Sequence, residues 1–93
     1  MNFEEENLNP DLNNQSEEES DTYSLVLYND DINSFEFVIE SLINICEFED
    51  IPAEQLTLLA HFKGKSTIKI GDKIYLSALK EQFEELGLTV EVV

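Results

Sequence analysis

Residues 1–22 carry eight carboxylates, at Glu4, Glu5, Glu6, Asp11, Glu17, Glu18, Glu19 and Asp21, and no basic residue to pair with them. The positions between them are largely Asn, Ser and Gln. A segment of this kind buries too little apolar surface to offset the entropy of ordering it. It reads as a disordered acidic N-terminal extension over 1–22, so any fold has to be built by 23–93. With 42% hydrophobic residues in 93, that remainder holds one small core and no second domain.

Charge then removes whole classes of partner. The chain has 21 acidic residues against five lysines and no arginine, a formal charge of −16. Nucleic acid needs a cationic face that displaces counterions, and an anionic membrane surface needs the same. Neither is expected. No apolar stretch approaches the roughly 18 residues of a membrane span, and no signal peptide is recognised. The lone Cys46 has no internal disulfide partner, which points to a reducing cytoplasm, and the chain is expected to be soluble and monomeric.

From Tyr23 the pattern becomes regular. Tyr23-Ser24-Leu25-Val26-Leu27-Tyr28 is a run of strand formers that stops at the turn-forming Asn29-Asp30-Asp31. Phe35, Val38, Ile39, Leu42, Ile43 and Cys46 then form the stripe of an amphipathic helix, with Asn33 and Glu36 spaced as a capping box. Asp50-Ile51-Pro52 opens a second helix, predicted over about 52–62, because proline is tolerated in a first turn. Gly64 ends it. Lys65-Ser66-Thr67-Ile68-Lys69-Ile70 alternates as a second strand, and Gly71-Asp72 supplies a turn.

Leu76, Leu79, Phe83 and Leu86 share one face of a third helix capped at Gly87, and Leu88 to Val93 alternates as a closing strand. The predicted order is β-α-α-β-α-β. Such a chain is an α+β, two-layer sandwich: a small, three-stranded, mostly antiparallel sheet covered on one face by three helices.

Enzymatic chemistry finds no support. Glycines 64, 71 and 87 form no phosphate cradle, one cysteine and one histidine make no metal set, and Ser34 lacks the setting of a nucleophile. Cys46 continues an apolar helix stripe and reads as core. No cofactor is expected. Asn29-Asp30-Asp31, at a strand-to-helix loop, is either a solvated turn or a ligand-binding loop. His61, near the end of the second helix, is either a structural histidine or a ligand contact. The two acquire a common meaning only if the fold brings them together.

In combination, the residues resemble the ClpS adaptor family. Tyr23 to Asp31, followed by Phe35-Glu36-Phe37-Val38-Ile39, is similar to that family's opening strand, NDD loop and first helix. Ala60-His61-Phe62-Lys63-Gly64-Lys65 is similar to its H-x-x-G-K signature. The resemblance covers residues 23 to about 93 and is strongest up to residue 65.

That resemblance implies a non-enzymatic adaptor that receives a protein's bulky N-terminal residue (Leu, Phe, Tyr or Trp) with its free α-amino group, and delivers this N-degron substrate to a Clp ATPase-protease. The implied partner is the N-terminal domain of a ClpA- or ClpC-like AAA+ unfoldase, with the flexible extension serving delivery. Asn29, Asp30, Asp31 and His61 would hold the amino group, the first through its amide oxygen, the carboxylates by charge and neutral His61 through an unprotonated nitrogen. Matching positions to the family pattern implies a hydrophobic pocket of Ile32, Asn33, Phe35, Val38, Thr57 and Ala60. Phe35 stands where the family often has methionine, and the small Ala60 enlarges the floor. Competing readings are a generic interaction domain of similar topology, such as a ribosomal-stalk C-terminal domain, and an acyl carrier, which would need Asp-Ser-Leu where this chain has Asn33-Ser34-Phe35.

Overall fold

The computed structural model describes residues 22–93. The expected acidic extension therefore lies, apart from Thr22, outside the described residues. The elements are β1 (Tyr23–Tyr28), α1 (Phe35–Cys46), α2 (Asp50–Lys63), β2 (Lys65–Gly71), α3 (Lys73–Glu85) and β3 (Val90–Val92). Their order is the predicted one. β1 lies between β2 and β3, antiparallel to both. Backbone bonds from Tyr28 to Thr89 and both ways between Ser24 and Val93 lengthen the β1–β3 ladder beyond β3's three residues.

The central strand dictates the layering. Leu25 and Leu27 face the helices and join Leu42, Ala53, Ile68, Leu76, Phe83, Leu88 and Val90 in one core. Val26, on the opposite face, is buried although it stands outside that core, flanked by Thr67 and Glu91 on the neighbouring strands. Leu25, Leu42, Ala53, Leu76 and Phe83 are fully inaccessible, and complete burial of one large apolar side chain contributes roughly 1.5–3 kcal/mol.

Three local expectations are corrected. The cap of α1 is Ser34, whose Oγ accepts from the Phe37 N–H at 3.1 Å, and not Asn33 paired with Glu36. Asn33 is engaged elsewhere, as described below. In β2 a bulge leaves Ile68 without a partner between the pairs Leu25–Lys69 and Val26–Thr67. One inserted residue reverses the faces beyond it, so Ile70 ends up exposed opposite Ser24, and Lys69 turns to the helix side, its Nζ 5.5 Å from the centre of the Phe48 ring. Finally, α3 stops at Glu85, leaving Leu86 partly exposed, and Leu88 is buried instead, its N–H donating to the Phe83 carbonyl.

The helix termini otherwise follow elementary chemistry. Asp72 caps α3 by accepting from the Tyr75 N–H at 2.7 Å. Pro52 falls in the first turn of α2, two residues past its start at Asp50. Among the described residues no helix is long and apolar enough to cross a membrane.

Candidate functional site

Three chain reversals meet at one end of the sheet: the loop 29–33 after β1, the α2–β2 junction at Gly64, and the α3–β3 turn at Gly87. Gly64 has φ +94°, and an added Cβ would meet nothing within 4 Å, so glycine serves conformation there and not space. Its N–H donates to Ala60 at 2.8 Å and its carbonyl accepts from Asn29 N–H at 3.0 Å. The end of α2 that carries His61 is thereby tied to the start of the loop.

Asp30 organises that loop. Its Oδ1 accepts from the backbone N–H groups of Ile32 and Asn33, both at 2.8 Å, and its Oδ2 accepts from Asn33 Nδ2 at 2.9 Å. Burial pushes the Asp30 carboxyl up, but the bonds from the Asn33 backbone, the Asn33 side chain and the Ile32 backbone together outweigh it and hold it below its ordinary value.

A cavity of about 290 Å³ opens beside these reversals, just below the roughly 300–1,000 Å³ usual for ligand sites. It is lined by Leu27, Tyr28, Asn29, Asp30, Asp31, Asn33, Phe35, Val38, Thr57, Ala60, His61 and Leu88. The fold therefore brings together Asn29, Asp30, Asp31 and His61 with five of the six residues expected in an apolar pocket. Ile32 is the exception. The Asp30 turn engages its N–H and leaves the residue 91% exposed, outside the lining. Asn33 also lines the cavity.

The chemical division inside the cavity is clear. Thr57 donates its hydroxyl to the Ala53 carbonyl at 2.8 Å, which leaves its methyl group to join Ala60, Val38 and Leu88 as apolar surface. His61 packs edge-on between Phe35, at 6.3 Å between ring centres, and Phe62, at 4.9 Å. Asn29, Asp31 and His61 are exposed, and among the described residues their side chains make no hydrogen bond or ion pair to another protein group. An apolar floor beneath unengaged acceptors suits a ligand with one bulky apolar group and one cationic or N–H donor group.

Sequence reasoning missed Leu27, Tyr28 and Leu88. Leu27 and Leu88 sit in strand-forming stretches, where an apolar residue signals burial without saying whether it meets core or cavity. Among the described residues no group of three or more His, Cys, Asp or Glu side chains is placed to hold a metal ion.

Comparison with known proteins adds an independent line. The family described as "ATP-dependent Clp protease adaptor protein ClpS" matches residues 18–91. An ATP-dependent Clp protease adapter protein ClpS of Edwardsiella ictaluri is 46% identical over 44 residues, 47% of this chain and 42% of the relative. Its counterpart in Pectobacterium carotovorum subsp. carotovorum is 36% identical over 61 residues, 66% of this chain and 58% of the relative. The chain thus spans about half the length of these curated relatives. The fold is shared with Agrobacterium tumefaciens ClpS2, whose structure is described as bound to L-phenylalaninamide, with TM-score 0.73 and 22% identity over 78% of this chain and 95% of that one. Since the family match runs from residue 18 to residue 91 of a 93-residue chain, the chain belongs to the ClpS family.

Proposed function

We propose that the chain is a non-enzymatic cytoplasmic adaptor that binds proteins by a bulky hydrophobic N-terminal residue and its free α-amino group, and delivers them to a Clp AAA+ ATPase-protease. The observation that carries this reading is the meeting, in one cavity, of an apolar floor with the side chains of Asn29, Asp31 and His61, which make no hydrogen bond or ion pair to another group among the described residues. An N-terminal residue offers the complement: a side chain for the floor and an ammonium group for the acceptors. L-phenylalaninamide, bound to A. tumefaciens ClpS2, has both parts, which supports the same reading for this cavity.

Magnitudes require both parts. A hydrogen bond to a charged group contributes roughly 1.5–3 kcal/mol and burial of a large apolar side chain a further 1.5–3 kcal/mol, whereas micromolar binding needs about 8 kcal/mol. Neither group suffices alone, and backbone bonds to the following residues complete the sum. The partner on the protease side is the N-terminal domain of a ClpA- or ClpC-like unfoldase, in keeping with the family description.

Fluorescence anisotropy with labelled peptides beginning in Phe, Leu, Val or acetyl-Phe, titrated with the wild type and with Asp31→Ala, tests the reading. Phe and Leu peptides are expected to bind, and the Val peptide, the acetylated peptide and the variant to lose most of that affinity. Equal or absent binding throughout would overturn it.

A further inference from the structure

The carboxamide of Asn33 carries two N–H donors, and the structure uses its nitrogen twice. Nδ2 donates to Asp30 Oδ2 at 2.9 Å and to the Gly87 carbonyl at 3.0 Å. The second bond crosses 54 positions of sequence, from the loop after β1 to the α3–β3 turn. Gly87 is itself held, with φ +85° and its N–H donating to Glu84 at 2.9 Å, while Leu88 donates to Phe83 at 3.1 Å. Asn33 therefore ties the Asp30-organised loop to a braced turn whose next residue, Leu88, lines the cavity.

We propose that Asn33 is a positioning residue. Its carboxamide latches the 29–33 loop to the α3–β3 turn and so sets where Asp31 presents its carboxylate to a ligand amino group. This rests on the reading of the cavity as a receptor for a protein N-terminus. Asp31 has no partner of its own among the described residues, so its position depends on the loop backbone on either side of it. Asn29 is anchored on one side by the Gly64 carbonyl, and Asn33 supplies the anchor on the other. The same latch makes Asp30 a loop-organising carboxylate, since it already accepts three N–H groups, and leaves Asp31 as the acid that meets the ligand.

Two variants test this: Asn33→Ala, which removes the carboxamide, and Asn33→Asp, which keeps its shape but removes both donors and faces Asp30 with a second carboxylate. In the ligand-free protein, hydrogen exchange of the Ile32 and Asn33 amides is expected to accelerate in both variants while exchange in α1 and α2 and the thermal midpoint stay near wild type. Unchanged exchange at those two amides overturns the latch, whether or not any peptide binds. Anisotropy with a Phe-initiated peptide is expected to show about tenfold weaker binding for Asn33→Ala, and that loss is expected to disappear in an Asp31→Ala background, because the two residues act in series. Undiminished binding, or losses that simply add in the double variant, overturns the positioning role. A wild type that binds neither Phe- nor Leu-initiated peptide, with the exchange result intact, instead overturns the reading of the cavity and with it the role of Asn33 in binding.

Discussion

The backbone N–H of Asn29 donates to the carbonyl oxygen of Gly64 at 3.0 Å, and through that bond the end of β1 meets the end of α2. Two stretches 35 positions apart in sequence, the Asn-Asp-Asp loop and the His-x-x-Gly segment, become two sides of one cavity. The first prediction concerns this joint. Gly64→Ala places a side chain at φ +94°, where an L-residue is disfavoured by roughly 1–2 kcal/mol, and urea unfolding is expected to show a loss of that order. Glu47, which ends α1 at φ +62°, is the converse case: Glu47→Gly is expected to be neutral or to stabilise the fold by about 0.5 kcal/mol. A Gly64→Ala protein as stable as the wild type would mean that the reversal tolerates other geometry.

Asp30 makes stability depend on acidity. Its folded pKa lies below the ordinary 3.8 because the hydrogen bonds from Asn33 and Ile32 outweigh its burial. A depressed carboxylate contributes stability that is present above the unfolded value and is lost as pH falls through the folded one. The stability difference between wild type and Asp30→Ala, followed by urea unfolding, is therefore expected to be constant near neutrality and to shrink once the pH drops below 3.8. A difference independent of pH through that range would remove the carboxylate from the loop's stability.

Cys46 is expected to be unreactive in the folded chain. Burial pushes its thiol up, with Lys69 drawing it only partly back, so little thiolate exists near neutral pH and little of it is accessible. Reaction with a disulfide reagent at pH 8 is expected to be at least about tenfold slower in the native protein than in denaturant. Equal rates would show that this end of α1 opens readily.

The floor of the cavity is expected to control which side chains enter. Ala60 is 4% exposed, belongs to the core and lines the cavity, so Ala60→Leu is expected to take up cavity volume. Phe-initiated peptides are expected to bind at least about tenfold more weakly, while the thermal midpoint changes little. Undiminished binding in the anisotropy assay would show that the ligand side chain does not reach α2.

Much of this fold is legible in the residue pattern because the signals are local. Period-two alternation from Leu88 to Val93, the stripe of Leu76, Leu79 and Phe83, and the reversals at Gly64 and Gly87 each follow from backbone geometry and side-chain burial within a few residues. Nine of the ten candidate site residues also line one cavity, although the pattern alone reads Asn29-Asp30-Asp31 more readily as a solvated turn, and only the family resemblance joins it to His61.

Two of the failures depended on partners distant in sequence, and the third on a local side-chain turn. Asn33 reads locally as a cap for α1, yet its carboxamide is drawn away by Asp30 and Gly87, and Ser34 caps instead. Ile70 reads as the inward partner of Ile68 until the bulge opposite Leu25 and Val26 reverses its face. Ile32, a pocket residue only by the family resemblance, lies in solvent because the Asp30 turn places it there. The sequence by itself determined the elements, their order and the inventory of polar groups, since propensity and periodicity act over a turn of helix or a few residues of strand. Only the tertiary structure decided which of those groups stay free to meet a ligand, because a hydrogen-bonding side chain takes whatever partner the folded chain brings within about 3 Å.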